Sequence, residues 1–124
     1  MDKIMLVQGD TRPHLVLSLT DATTAEAIDL SDAHTVVQLK FRARGSADLT
    51  DTLTAYKLPG TVQEDGAVDY SNLTPGAGGR CYFKWNAGTL NGQAGDYEGE
   101  VQVTFPDGIQ TVYEVLKFKL REEF

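Results

Sequence analysis

Between Gly95 and Phe105 apolar and polar positions alternate almost without a break. Tyr97, Gly99, Val101, Val103 and Phe105 share one parity; Glu98, Glu100, Gln102 and Thr104 take the other. Successive side chains of a strand point to opposite faces, so this stretch predicts a strand with one apolar and one solvated face. Pro106-Asp107-Gly108 interrupts the run. Proline presets its own φ and Asp-Gly tolerates positive φ, which predicts a tight hairpin turn. The chain then returns from Ile109 towards Leu120, with Leu116, Phe118 and Leu120 alternating against Lys117, Lys119 and Arg121. The apolar parity shifts between Ile109 and Leu116, which predicts a bulge at Tyr113 to Val115.

The same period of two recurs upstream. Leu15, Leu17 and Leu19 form one apolar face; Val37, Leu39 and Phe41 form another, opposite Gln38, Lys40 and Arg42; Cys81, Phe83 and Trp85 form a third. Ile4 to Val7 is a short apolar run, and Ser31-Asp32 is a candidate cap. Leu49 to Leu58 has a weak pattern, and Val62 to Tyr70 reads as a strand broken at Asp65-Gly66. Residues 44–48, 71–79 and 86–94 are rich in Gly, Pro, Asn and Ser, and read as exposed loops. Seven or eight short strands with no sustained helical period predict an all-β, antiparallel β-sandwich forming a single domain over residues 1–124. The expected core and turn residues are Phe83, Trp85, Tyr97, Val101, Val103, Phe105 and Gly108.

Charge narrows the partners. Eleven basic residues against eighteen acidic ones give a net charge of −7. That disfavours duplex nucleic acid and anionic membrane surfaces as partners. The one cysteine, Cys81, excludes an intrachain disulfide framework and a multi-cysteine zinc site, and its place beside Phe83 and Trp85 predicts a buried thiol. The amino-terminal apolar run is too short for a secretion signal, so folding in a reducing cytosol is expected.

The usual catalytic constellations do not form a pattern. His14 and His34 sit at or before strand starts among ordinary polar neighbours. Gly76-Ala77-Gly78-Gly79 leads into a strand, so no helix N-terminus stands ready for a phosphate. Glu64-Asp65 with Asp69, and Asp96, Glu98 and Glu100, are the carboxylate groupings. Glu98 and Glu100 share a strand face, the arrangement a glycosidase pair or calcium site would use, yet a solvated edge or partner surface accounts for it more simply. Tyr82, Trp85 and Tyr97 are the residues for a sugar-stacking platform, with core packing as the simpler account. Lys40, Arg42 and Arg44 form a small basic stripe, read as a solvated face or one meeting acids of a neighbouring subunit. No cofactor or metal is expected. Glu98, Glu100 and Gln102 are the candidate partner-binding face.

Several spaced elements together resemble a known family. They are Gln8-Gly9-Asp10-Thr11 with Pro13 and the Leu15-Leu17-Leu19 strand, Ile28-Asp29-Leu30-Ser31, the strand ending Phe41-Arg42, the aromatic strand ending Trp85, Gly95-Asp96-Tyr97-Glu98-Gly99-Glu100, and Phe105-Pro106-Asp107-Gly108. Over roughly residues 4 to 120 the order resembles the amino-terminal immunoglobulin-like domain of phage baseplate upper proteins and related tail-fibre adaptor domains. The resemblance implies an immunoglobulin-like sandwich located in the virion, without catalysis. It would join other virion proteins in tail, baseplate, neck or capsid decoration, as a homo-oligomer or in many copies. Those proteins usually continue into a trimer-forming shaft, whereas here the last strand runs almost to Phe124 and no heptads appear. A carbohydrate-binding or adhesin-like module for host-surface attachment is the alternative expectation, and a small hydrolase the residual one.

Overall fold

β9 (Gly95–Phe105) is the central strand of the larger sheet, and the rest of that sheet is assembled on its two sides. The molecule is described from a computed structural model covering residues 3–63, 65–71, 73–112 and 114–124. Glu64 and Tyr113, on which a carboxylate grouping and part of the expected bulge fall, lie outside the described residues, as do Met1, Asp2 and Asn72.

On one side of β9 lie β3 (Val36–Ala43) and then β4 (Asp51–Thr54), both antiparallel. On the other side are β10 (Gly108–Thr111) and β11 (Leu116–Arg121), and beyond β11 comes β1 (Ile4–Val7). The β1–β11 pair is parallel, with Ile4 opposite Phe118 and Val7 opposite Arg121, a departure from the expected all-antiparallel pairing. A second sheet has the order β2 (Leu15–Ser18), β8 (Arg80–Phe83), β5 (Tyr56–Lys57). A short hairpin joins β6 (Thr61–Val62) to β7 (Val68–Asp69), broken at Asp65-Gly66 as the sequence predicts. The described residues contain strands, turns and bends and no helix; the candidate cap at Ser31-Asp32 is instead a pair of side-chain turns, Asp29 accepting from the Ser31 amide and Asp32 from that of His34.

The strand count exceeds the expected seven or eight because three predicted stretches divide. Asp51–Thr54 belongs to the large sheet and Tyr56–Lys57 to the small one, so the chain changes sheets at Ala55. That change explains the weak periodicity of residues 49–58: two faces are addressed in one run. The return strand divides too, since four residues, 112–115, stand opposite Glu100 and Val101. Inserting two residues preserves parity. Gln110, Val112, Leu116, Phe118 and Leu120 all turn inward or towards the rim, while Ile109 is 66% exposed. The parity shift expected from Ile109 is therefore absent; an outward isoleucine mimicked it.

One buried cluster draws on both sheets, an arrangement consistent with a β-sandwich. Val37, Leu39 and Phe41 of β3 meet Tyr97, Val101 and Val103 of β9 and Leu116, Phe118 and Leu120 of β11 from one side. Leu15, Cys81, Phe83 and Trp85 come from the other. Phe41 is at the centre, stacked on Tyr97 with ring centroids 5.1 Å apart and edge-on to Trp85 and Phe118 at 5.3 and 5.2 Å. Trp85 also donates its indole N–H to the Pro13 carbonyl. Two of the expected core and turn residues differ. Phe105 is only partly buried and Gly108 is exposed, because β9 runs past the edge of the cluster before it turns. Neither Asp107 nor Gly108 has positive φ, so Pro106-Asp107 makes the two-residue turn without left-handed backbone.

The 71–79 loop is likewise not wholly exposed. Gly76, Gly78 and Gly79 are buried, wedged against the backbones of Leu30, of Gly60 and Thr61, and of Leu19 and Ile28. The Leu19 amide donates to the Gly79 carbonyl and the Leu30 amide to that of Gly76. Glycine there permits close backbone approach, which a composition-based reading takes for an exposed loop.

Cys81 is fully buried, and burial pushes its thiol up to about 12. Thiolate is the reactive form. A thiol reagent at about pH 8 is expected to leave the native protein unlabelled and to label its one thiol in denaturant, which mass spectrometry checks directly. Rapid labelling of the native chain would contradict the burial.

Candidate functional site

The outward side chains of β9 lie in the middle of a broad polar face. At one end Thr104 lies between Val36 of β3 and Ile109 of β10; next, Gln102 lies between Gln38 and Thr111. Glu100 is then opposite Lys40, Glu98 lies between Arg42 and Lys117, and Asp96 is opposite Lys119. The acidic row of β9 thus runs between basic rows on β3 and β11. The stripe of Lys40, Arg42 and Arg44 accordingly lies beside acids of its own chain. The Arg42 guanidinium donates from Nε to Glu98 Oε1 at 2.8 Å and places Nη2 2.8 Å from the same oxygen.

Because β9 is paired on both sides, Glu98, Glu100 and Gln102 are on a sheet face and not on an edge. Unpaired strand edges among the described residues belong to β1, β4 and β10 of the large sheet, to β2 and β5 of the small one, and to the β6–β7 hairpin. Glu98 and Glu100 line a hollow of about 150 Å³ with Lys40, Arg42, Leu49 and Val115, beside the two-residue insertion in the return strand. The two carboxylates weighed as a catalytic pair therefore share their hollow with two cations. Exposed ion pairs of this kind contribute at most about 1 kcal/mol to folding, so their arrangement matters more for what the face recognises than for stability.

Asp96 is the most strongly influenced acid of the row. The Lys3 ammonium, 2.8 Å from its Oδ1, holds its carboxyl below the ordinary aspartate range by hydrogen bond and charge, with smaller contributions from Lys119 and Arg44. A depressed native pKa means the unfolded chain binds the proton more tightly. The stabilisation is present above the ordinary aspartate value and disappears as pH falls through the lowered native one. Asp96→Asn is expected to flatten that part of the acid stability profile, lowering stability modestly at neutral pH and leaving it nearly unchanged below the lowered native value, where the wild-type carboxyl is already protonated. Equilibrium denaturation across the acid range measures it.

The remaining candidates are dispersed. Trp85 and Tyr97 are buried, and Tyr97 donates its hydroxyl to the Gln93 carbonyl at 2.7 Å. Tyr82 is half-buried between His14 and Tyr56, with centroids 5.4 and 5.1 Å away and planes within 20°. Rings that close are stacked face to face, so they cover one another and do not lie side by side as a sugar platform requires. The trio Tyr82, Trp85 and Tyr97 forms no such platform. His34 is exposed beside Asp32, 3.4 Å away. Asp65 and Asp69 accept from the amides of Ala67 and Ser71 in their turns. Among the described residues no group of three or more His, Cys, Asp or Glu side chains is placed to hold a metal ion.

Two of the three rim loops are pinned. The Gly76–Gly79 corner is buried, and in the 86–94 loop the Thr89 hydroxyl donates to Asp51 while Gln8 holds the Gly92 carbonyl. A groove of about 600 Å³ opens between Leu17–Thr20 on one side and Val112 and residues 114–117 on the other, where the return strand divides. The cations of β11 were visible in the sequence as alternation; that they flank Glu98 and Asp96 is a matter of register.

No protein-family model matches the chain, and neither a curated protein nor a solved structure matches it. No helix among the described residues is long and apolar enough to cross a membrane.

Proposed function

We propose that this chain is a non-catalytic structural component of a phage virion, an immunoglobulin-like domain that joins virion proteins through its sheet faces and strand edges. The observation that carries the reading is the face just described. The chain's densest polar chemistry is spread as matched charged rows over an open sheet, the form that protein recognition uses, and not gathered around an enclosed pocket.

The immunoglobulin-like part has topological support. The neighbours β4-β3-β9-β11 follow the order C′-C-F-G of a variable-type domain, and β2-β8-β5 follow B-E-D. Tyr97, near the start of β9, bonds through its hydroxyl to a carbonyl four residues upstream, the geometry of the tyrosine corner at the start of strand F. Two residues on, where antibody domains place the second cysteine of their inter-sheet disulfide, stands Gly99. A Cβ there would come within 2.8 Å of Leu39 and 3.0 Å of Phe118, so core side chains occupy the space of a bridge. The family resemblance in the sequence supplies the virion setting.

Mass spectrometry of purified particles from the source, with copy number per particle, tests the proposal. A few to a few tens of copies supports a tail, neck or baseplate position; hundreds support capsid decoration. Absence from the particles overturns the reading.

A further inference from the structure

Charge on this molecule is segregated by surface. The outer face of the large sheet, counted with Lys3 before β1 and Arg44 after β3, carries Lys3, Lys40, Arg42, Arg44, Lys117, Lys119 and Arg121. That is seven of the chain's eleven basic residues. Against them stand only Asp96, Glu98 and Glu100, of sixteen acids among the described residues. The remaining described surface keeps four cations and thirteen acids. Within the face, Arg42 is bound to Glu98 and Lys3 to Asp96. Lys40, Lys117 and Lys119 make no side-chain hydrogen bond or ion pair among the described residues. A net-acidic protein thus presents one basic, under-neutralised sheet face.

At the far end of β9, beyond the neutral rows, lies a hollow of about 480 Å³ lined by Asp29, Asp32 and Asp107 around Thr35, Phe105 and Pro106. Thr35 is 2% exposed, and its hydroxyl has no hydrogen-bond partner among the described residues. Asp29 and Asp32 are held ionised by hydrogen bonds from Ser31 and from His34, with Lys57 as the nearby cation, bound to the Asp32 carbonyl. The hollow therefore offers three carboxylates to a cationic visitor, above a buried hydroxyl that no described group satisfies.

We infer that the basic outer face of the large sheet docks a second copy of this chain, with Lys117 and Lys119 seated at the Asp29–Asp32–Asp107 hollow of its neighbour. This deepens the proposed structural role and rests on it only for its biological setting. A nucleic acid long enough to extend past the face would meet thirteen acids, whereas a second copy brings a compact acidic surface of its own. The two patches are different parts of the molecule, so the contact is head-to-tail. Such contacts repeat, closing into rings or continuing as filaments. Association is steered by charge and weakens as salt screens it.

Sedimentation velocity of the purified chain at about 0.02 M and about 0.5 M salt tests this. Two variants are needed: Lys117→Gln/Lys119→Gln on the face, and Asp29→Asn/Asp32→Asn/Asp107→Asn at the hollow, where Asn keeps the acceptor of each local turn. Thermal melts establish that both fold. The wild-type chain is expected to form species that grow with concentration at low salt and shrink at high salt. Each variant is expected to associate at least about tenfold more weakly. An equimolar mixture of the two variants retains one intact contact and is expected to stop at a heterodimer. A wild-type chain that stays monomeric at low salt overturns the inference, as does association untouched by either variant, or a mixture with no heterodimer. A chain present in particles yet monomeric alone sinks this inference and leaves the virion role standing; a self-associating chain absent from particles does the reverse.

Discussion

Phe41→Ala is expected to lower the free energy of unfolding by about 3–5 kcal/mol, the largest effect of any single truncation here. The residue is fully buried at the middle of β3, and its ring is the one on which the aromatic cluster converges. Tyr97 stacks on it, while Trp85 and Phe118 approach edge-on. Truncation removes the transfer energy of the ring and leaves a cavity whose walls are rings fixed from behind. Trp85 is tethered to Pro13 and Tyr97 to Gln93, so neither can swing freely into the space. Phe41→Leu keeps most of the volume and is expected to cost less than half as much. Urea denaturation followed by tryptophan emission reads both, since Trp85 is the only tryptophan and lies against the cavity. A loss below about 1 kcal/mol for the alanine would show that the cluster recloses.

Gly78→Ala is expected to destabilise by about 2–4 kcal/mol, although it adds a single methyl group. The added carbon would fall well under 3 Å from the Gly60 carbonyl oxygen and at 2.8 Å from the Thr61 Cα. Those are backbone atoms of the turn into β6, which cannot rotate aside as a side chain would. A melting temperature lower by roughly 10 °C follows for a chain of this size. Gly108→Ala is the matched control: nothing lies within 4 Å of its added carbon and its φ is not positive, so a change of only a few tenths of a kcal/mol is expected. Equal melting temperatures for the two variants would show that the Gly60–Thr61 turn yields at no cost.

Those two residues also mark what the sequence makes legible. Phe41 was readable because β3 obeys a strict period of two, and each of Val37, Leu39 and Phe41 is buried as its parity requires. The same holds for β11, and for β9 up to Val103. Gly78 was not readable. Glycine-rich composition looks the same whether the backbone is free or wedged between other backbones, and only tertiary proximity separates the cases. The division of residues 51–57 between two sheets was hidden for a related reason, since a segment that changes partners has no single face to repeat. Ile109 misled by being apolar and outward, where it stands opposite the exposed Thr104 of its neighbour strand.

The candidate face was half legible. Alternation gave the polar row Glu98, Glu100 and Gln102, and separately the basic residues of β3 and β11. Which row lies beside which depends on pairing between strands far apart in the chain, as Lys40 and Glu100, 60 residues apart, illustrate. The segregation of cations onto one face emerges only once that register is known.

The parallel pairing of β1 with β11 has a mechanical consequence. Ile4 begins β1 at the end where β11 also begins, so tension drawing the amino-terminal side and the carboxy-terminal side apart slides the two strands lengthwise past each other. Every hydrogen bond between them then bears load together, instead of opening one after another from an end. A domain tethered at both termini would resist extension until that whole ladder gave way at once, behaving as a stiff link under pull.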